Sequence, residues 1–298
     1  MKKSFQARLR RKIQKLLYRE QWSLLVCDID GKVLANIAPP NDRIWADPFP
    51  VEVDGTYYVF VEQQIRGQNG TLGYIRLHDD LSFSGFYPIL EKEYHLSFPH
   101  VFKTECDGHD NWYMIPESNE NGRISLYRAA RFPDSWEFVR DIIPDTRAVD
   151  SAILEKDGKF WLFTSRQTDT TSLNDSLFIY HSDSLASGNW IPHPKNPVIV
   201  DRGFSRMAGR IFRDADGSLV RPAQSCVREY GERTVLRRIV TLTETDYAEE
   251  TIETIYPESG YSAVCTHTYN RCGRYLLRDI KTRVFSPFHL LTDGRTRR

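Results

Sequence analysis

Cysteine is scarce in this chain and follows no pattern. Five residues in 298 (Cys27, Cys106, Cys226, Cys265, Cys272) make an odd count, with no Cys-x-x-Cys and no Cys/His spacing suited to zinc. A disulfide scaffold and a structural zinc site are thereby excluded, and reduced thiols in a cytosolic setting are expected. Long hydrophobic runs are missing too. No stretch approaches the roughly 20 apolar residues that a membrane-spanning helix needs. The basic N-terminus is not followed by the apolar run and small-residue cleavage site of a signal peptide. Gly-x-Gly-x-x-Gly, P-loop and Gly-x-Ser-x-Gly patterns are all absent, which argues against the phosphate-cradling loops and nucleophile elbows they mark.

Net charge is absent as well, at 40 Lys+Arg against 40 Asp+Glu, but the balance is uneven. Residues 2–20 carry eight basic side chains and one acid, and the tail adds Arg295, Arg297 and Arg298. The termini therefore hold +10 and residues 21–294 hold −10. An acidic body argues against nucleic acid as a partner. Phe5, Leu9, Ile13, Leu16 and Leu17 fall three or four apart, which predicts an amphipathic helix over residues 1–20 with basic outer faces. Two uses are open for it: attachment to an anionic membrane surface, or packing against the body with a solvated basic face.

What is abundant is aromatic residues, 12% of the chain, and they recur with a period. Turns of the Asp-Gly type fall at Asp54-Gly55, Asp107-Gly108, Asp157-Gly158 and Asp216-Gly217, with Cys272-Gly273 as a degenerate fifth; successive glycines lie 53, 50, 59 and 56 residues apart. Each turn joins two short segments of strand character, a strong hairpin signal. Third strands follow at Leu72–Leu77, Ile124–Ala129, Leu177–His181 and Val235–Leu242. Three or four strands per period of about 50 residues describe propeller blades. The expected fold is all-β: a five-bladed β-propeller over residues 21–292, flanked by the basic helix and a basic tail at 293–298. The strand Trp22–Ile29 is expected to complete the last blade and close the ring.

In a propeller the inner strands surround one funnel. Aligning the repeats by their turns places Asp47 and Asp150, each eight residues before its blade's glycine, at its mouth. Glu62, Ser165 and Gln224 come seven residues after the glycine, and Glu117 takes that place in blade two. Glu117 follows Met114-Ile115-Pro116, an apolar setting that raises a carboxyl pKa and suits a general acid. Arg206, Arg210, Arg221, Gln224, Tyr230 and His267 supply donors from blades four and five. Carboxylates facing guanidinium groups suit a polar, hydroxyl-rich ligand, neutral or anionic. The acidic run Glu244, Asp246, Glu249 and Glu250 reads as solvated surface, and Asp28-x-Asp30-Gly31 as a strand-end turn rather than a calcium loop.

The set Trp45-Ala46-Asp47-Pro48, Leu96-Ser97-Phe98-Pro99, Ile115-Pro116-Glu117, Val149-Asp150, His193-Pro194-x-Asn196-Pro197, Ser205-Arg206-x-Ala208-Gly209, Arg221-Pro222-Ala223-Gln224, Tyr230-Gly231 and His267-Thr268 resembles the N-terminal propeller of plant glucosamine inositolphosphorylceramide transferases and their bacterial stand-alone relatives. More distantly it is similar to arabinanase- and xylosidase-type glycoside hydrolases. The hydrolase resemblance implies a first-blade Asp as base, a third-blade Asp that tunes and orients, and a fourth-blade Glu as acid. Asp47 and Asp150 match the first two; the fourth-blade stretch reads Arg206-Met207-Ala208-Gly209 and lacks the Glu. In the plant proteins the sugar-transfer domain is a separate one.

Three functions follow as expectations. The first is glycosyl transfer in surface polysaccharide or glycolipid assembly, with Asp47, Glu117 and Asp150 facing Arg206 and Arg221, a phosphate-bearing sugar donor, and a place in the cytoplasm at the inner membrane face. The second is a glycoside hydrolase with Asp47 as base and Glu117 as acid. The third is a non-catalytic glycan-binding module serving a separate glycosyltransferase. No metal ligand set is assigned, and a calcium ion near His267 is left open.

Overall fold

The computed structural model describes residues 16–106 and 108–287, without the His109 side chain. Five antiparallel sheets, three of four strands and two of five, stand around one axis. Blade I comprises Arg43–Val53, Thr56–Ile65, Gly70–Leu77 and Tyr87–Leu90 from the inside outward, and blade II Ser97–Cys106, His109–Glu117, Ile124–Arg131 and Ser135–Ile143. Blade III runs from Ala148–Lys156 through Lys159–Arg166 to Ser176–Ser182, with the short edges Ile191–Pro192 and Ile199–Val200. Blade IV has a broken inner strand, Arg206–Met207 and Phe212–Arg213, followed by Leu219–Ser225, Arg233–Leu242 and Tyr247–Ile255.

Blade V is assembled from both ends of the chain. Tyr269–Cys272 and Tyr275–Phe285 are its inner strands, and Tyr18–Asp28 and Val33–Ile37 its outer ones. Tyr18–Asp28 pairs with Tyr275–Phe285 over eleven residues, from Tyr18↔Phe285 to Asp28↔Tyr275. The expected closure is present, and it begins four residues earlier than Trp22. That corrects the expected helix at its C-terminal end: of the described residues 16–20, Leu16 and Leu17 are helical and Tyr18–Glu20 are strand, because Arg283–Phe285 offer them ladder partners. The rest of the helix and the 293–298 tail lie outside the described residues.

The Asp-Gly turns work as tight hairpins. Asp54 and Gly55 (φ 49° and 75°), and Asp157 and Gly158 (54° and 74°), are all left-handed, the geometry that matches strand twist and that Asp-Gly tolerates best. Glu117 follows Gly108 by nine residues where Glu62 follows Gly55 by seven, and the two extra residues lie within the strands rather than in the expected longer turn, since Cys106 pairs with His109 just as Val53 pairs with Thr56. The apolar residues interleave between blades; Phe49, Phe60, Phe98, Met114, Phe163 and Met207, from four blades, share the largest cluster. Cys27, Cys106, Cys226, Cys265 and Cys272 are all unbridged. Among the described residues no helix is long and apolar enough to cross a membrane.

Candidate functional site

The same irregularity in three inner strands builds the site. In blades I, II and III the ladder slips at one place: Ala46↔Glu62 is followed by Phe49↔Phe60, Ser97↔Glu117 by His100↔Ile115, and Val149↔Ser165 by Ala152↔Phe163. Each is a bulge with two residues opposite one, which re-aims a side chain out of the sheet. The first residue of each bulge, Asp47, Phe98 or Asp150, takes a left-handed φ of 52°, 44° or 49°. Asp bears that conformation better than a bulky residue does, so blades I and III can point carboxylates from this position. The register also makes Glu62, Glu117, Ser165 and Gln224 true equivalents, opposite Ala46, Ser97, Val149 and Arg206.

These bulges are tied into a relay around the axis. The Asp47 N–H donates to Asp279 Oδ2 (3.1 Å), the Phe98 N–H to Asp47 Oδ2 (3.1 Å), and the Asp150 N–H to Glu117 Oε2 (3.3 Å). Each carboxylate thus fixes the bulge of the next blade. Asp279 was invisible to the repeat alignment. Its signal was the only acid inside the apolar run Tyr275-Leu276-Leu277-Arg278-Asp279-Ile280.

Two charge clusters result. In the first, His267 lies between two carboxylates, with Nδ1 2.8 Å from Asp279 Oδ2 and Nε2 3.2 Å from Asp47 Oδ1. Asp279 also accepts the backbone N–H of His267 and of Thr268 at 3.0 Å, and the Thr268 hydroxyl. Burial alone would strip His267 of its proton, but Asp279 and Asp47 outweigh it and raise the pKa to about 9. Burial opposes ionisation of Asp279, yet the His267 charge and the donors around it hold its pKa near 2. Asp47 moves the other way: burial pushes it up to about 8, against the pull of His267. Glu62, buried in the same wall, is likewise raised to about 8 by burial, and lies 3.3 Å from His95 Nε2.

The second cluster centres on Arg206, whose Nε donates to Asp150 Oδ2 (2.5 Å), Nη1 to Asn174 Oδ1 (2.9 Å) and Nη2 to the Tyr230 hydroxyl (3.3 Å), with Glu117 Oε2 3.6 Å away. Gln224 Nε2 donates to the same Asp150 oxygen at 2.6 Å and to the Met207 carbonyl. Burial and the neighbouring Asp150 drive the Glu117 pKa well above the usual carboxyl range, with Arg206 opposing. Tyr230 joins the clusters, its ring 4.8 Å from the Arg206 guanidinium and 5.1 Å from the His267 ring. Gln224 Oε1, a buried acceptor in this arrangement, receives no hydrogen bond from the protein, and Asp47 Oδ1 has His267 Nε2 at 3.2 Å beside it.

The structure thus brings together Asp47, Glu117, Asp150, Arg206, Gln224, Tyr230 and His267. Two expected ligand-binding arginines stand elsewhere. Arg221 is wholly buried inside blade IV, where it forms a fork with Glu249 (2.6 and 2.7 Å) and donates to the Phe204 and Ser205 carbonyls. Glu249 is correspondingly no solvated residue: burial opposes its ionisation, but Arg221 holds its pKa low. Arg210 crosses beneath the site to donate to the Val101 carbonyl of blade II (2.8 Å) and the Pro50 carbonyl of blade I (3.4 Å). Even Arg206 has each guanidinium nitrogen engaged, which leaves no free fork for a phosphate.

A cation has one candidate place among the described residues. Asp47, His267 and Asp279 offer ligand atoms within 4.8 Å of one another. His267 keeps a proton between the two carboxylates, so the imidazolium already supplies the positive charge there, and a metal would have to displace that proton.

Comparison with known proteins follows this geometry. A family model described as glucosamine inositolphosphorylceramide transferase 1, N-terminal, matches residues 29–270. The chain is 36% identical over 209 residues to glucosamine inositolphosphorylceramide transferase 1 of rice (Oryza sativa subsp. japonica), covering 68% of this chain and 27% of the relative. It is 36% identical, again over 68% of its length, to the protein of that name from Arabidopsis thaliana, where it covers 26%. The chain therefore spans about a quarter of the curated relatives it matches. Among solved structures, an α-L-arabinofuranosidase from Podospora anserina in complex with cellotriose aligns with a TM-score of 0.55 at 12% identity, over 91% of this chain and 98% of that one. A family 117 glycoside hydrolase from Zobellia galactanivorans aligns at 0.53 and 13%, over 95% and 99%. At such identities these structures share the fold alone.

Proposed function

We propose, for a chain that belongs to the family of the glucosamine inositolphosphorylceramide transferase 1 N-terminal domain, that the funnel takes up a hydroxyl-rich sugar and serves glycosyl transfer in polysaccharide or glycolipid assembly. The observation that carries this reading is a buried acceptor without a donor, Gln224 Oε1, beside pre-aligned carboxyl groups. Such an unmade bond costs about 1–3 kcal/mol, which a ligand hydroxyl relieves by donating. Asp47, once deprotonated, is the base toward an acceptor hydroxyl. Glu117 keeps its proton and is the donor toward a leaving oxygen, and Asp150, held by Arg206 and Gln224, orients both. The same proposal places the chain at the cytoplasmic face of a membrane, through the basic segment before Tyr18.

A second reading has its own support. Arg206 belongs to the fourth-blade stretch that lacks the acid of the distant hydrolases, and it pairs with Asp150 and stands 3.6 Å from Glu117. That favours a glycan-recognition module that hands its ligand to a separate transferase. Asp47→Asn and Glu117→Gln decide between the two. If the funnel is catalytic, glycan binding persists in both variants while turnover falls on the order of 10²-fold or more. If the parent shows no turnover with nucleotide-sugar donors or with glycan polymers, and the variants change affinity only, the recognition module stands. Release of free sugar from a polymer by the parent would instead make it a hydrolase.

A further inference from the structure

Outside the funnel, at the outer edge of blade II, the structure holds a groove of about 220 Å³ whose wall includes Lys92, Tyr94, Arg123, Tyr127, Phe138 and Asp141. That is below the roughly 300–1,000 Å³ of pockets for drug-sized ligands, room for one sugar ring rather than a chain. Phe138 is 55% exposed, with Tyr127 edge-on to it at 5.9 Å, so an apolar ring face stands open at an otherwise polar place. Phe138 sits on the outermost strand of the blade, Ser135–Ile143.

The polar groups are set for recognition. Arg123 and Asp141 form a 2.7 Å ion pair, and the Ser125 hydroxyl donates to the other Asp141 oxygen at 2.7 Å, so both carboxylate oxygens are held. Lys92 holds its ammonium 5.8 Å over the Tyr127 ring and has no carboxylate partner among the described residues. Among the charged residues of the lining, Arg123 and Asp141 pair with each other, and Lys92 has no ion-pair partner among the described residues. A chain of contacts leads from the groove's rim to the funnel wall. Glu120, next to the lining residue Asn121, accepts the backbone N–H of His95 (3.2 Å), and His95 in turn contacts Glu62.

We propose that this groove is a distal subsite for an anionic sugar ring, carboxylate- or phosphate-bearing, whose apolar face stacks on Phe138 and whose anion meets Lys92. The proposal rests on the sugar-handling reading of the funnel, but it is tested apart from it. The full chain, labelled with ¹⁵N, is titrated with glucuronate, with glucose 1-phosphate and with methyl glucoside, and the amide shifts around Phe138 and Asp141 are followed. Both anionic ligands are expected to shift these amides, and the arm that binds tighter identifies the anion. Lys92→Gln should weaken the anionic ligands about tenfold, the scale of one lost charge-assisted contact, and Phe138→Ala should weaken all three. Phe138 is exposed, so its truncation leaves the fold intact, which the unchanged remainder of the spectrum verifies. Absence of shifts at the groove with every ligand overturns the subsite, and equal binding of methyl glucoside and the anions overturns the role of Lys92. If ligands shift only funnel amides, around Asp47 and Gln224, the subsite falls while the funnel reading stands. If they shift only groove amides, the funnel reading falls and the groove is an independent sugar site.

Discussion

Single residues in this protein do work that residue type alone does not reveal. Arg206, Arg210 and Arg221 are three arginines within sixteen positions, yet one organises the funnel, one bonds inner-strand carbonyls and one is sealed into a blade. Breaking the sealed pair should be costly. Glu249→Gln leaves Arg221 and Arg237 short of a buried counter-charge, and the expected loss is about 3–5 kcal/mol in denaturant unfolding at neutral pH. A loss under about 1 kcal/mol would mean that Glu249 is solvated after all. His267 gives a pH signature. Its proton is held to about 9 in the folded protein, against about 6.5 for a free imidazole. A histidine with a raised folded pKa contributes stability that is complete below its unfolded value and lost as pH rises through its folded value. The raised pKa of Asp47 has the same sign, because the folded state again binds the extra proton. The melting temperature should therefore decline between about pH 6.5 and 9, and His267→Gln should flatten that decline. An identical slope in the variant would sink the assignment of the proton to His267.

At the scale of the element, the informative unit is the N-terminal strand. Tyr18–Asp28 lies inside blade V, paired on one side with Tyr275–Phe285 and on the other with Val33–Ile37. Its side chains Leu24, Leu25, Val26 and Cys27 are fully buried, and the Trp22 ring lies 4.4 Å from that of His267. Closing the ring by pairing chain ends leaves no open edge between first and last blades. A chain beginning at Tyr18 should melt within a few degrees of the parent. One beginning at Arg43 should lose the cooperative transition in circular dichroism, because two strands of blade V go with it. Retention of a sharp melt by the shorter chain would show that closure contributes little.

For the whole molecule, the division of charge is the feature with consequences. The propeller body is acidic and the terminal segments are basic, so any attraction to an anionic surface resides in the latter. Because the structural strand starts at Tyr18, deletion of residues 2–15 is the appropriate test. It should abolish sedimentation with phosphatidylserine vesicles while leaving the fold intact. Binding by the parent should fade as salt rises, since exposed charges are screened within about 10 Å at 0.1 M. Equal, salt-insensitive sedimentation of both forms would refute attachment through charge.

The sequence by itself determined the architecture. The Asp-Gly turns and aromatic second strands repeat about every fifty residues, and local turn geometry acts through neighbours in the chain, so five blades and their inner strands were legible. So were Asp47 and Asp150, because equivalent bulges follow equivalent turns at equal spacing. Only the tertiary structure decided what those side chains meet. Asp279 lies six residues after Gly273, one short of the seven that Glu62, Ser165 and Gln224 share, and it becomes the anchor of the site because its Oδ2 accepts the Asp47 N–H from 232 residues away. Arg221 and Glu249, read as funnel donor and surface acid, instead find each other across the intervening strand Arg233–Leu242 of one blade. Hairpins are written in local sequence; which charges become buried partners depends on how blades pack around an axis, and packing follows from volume and burial that no single repeat contains.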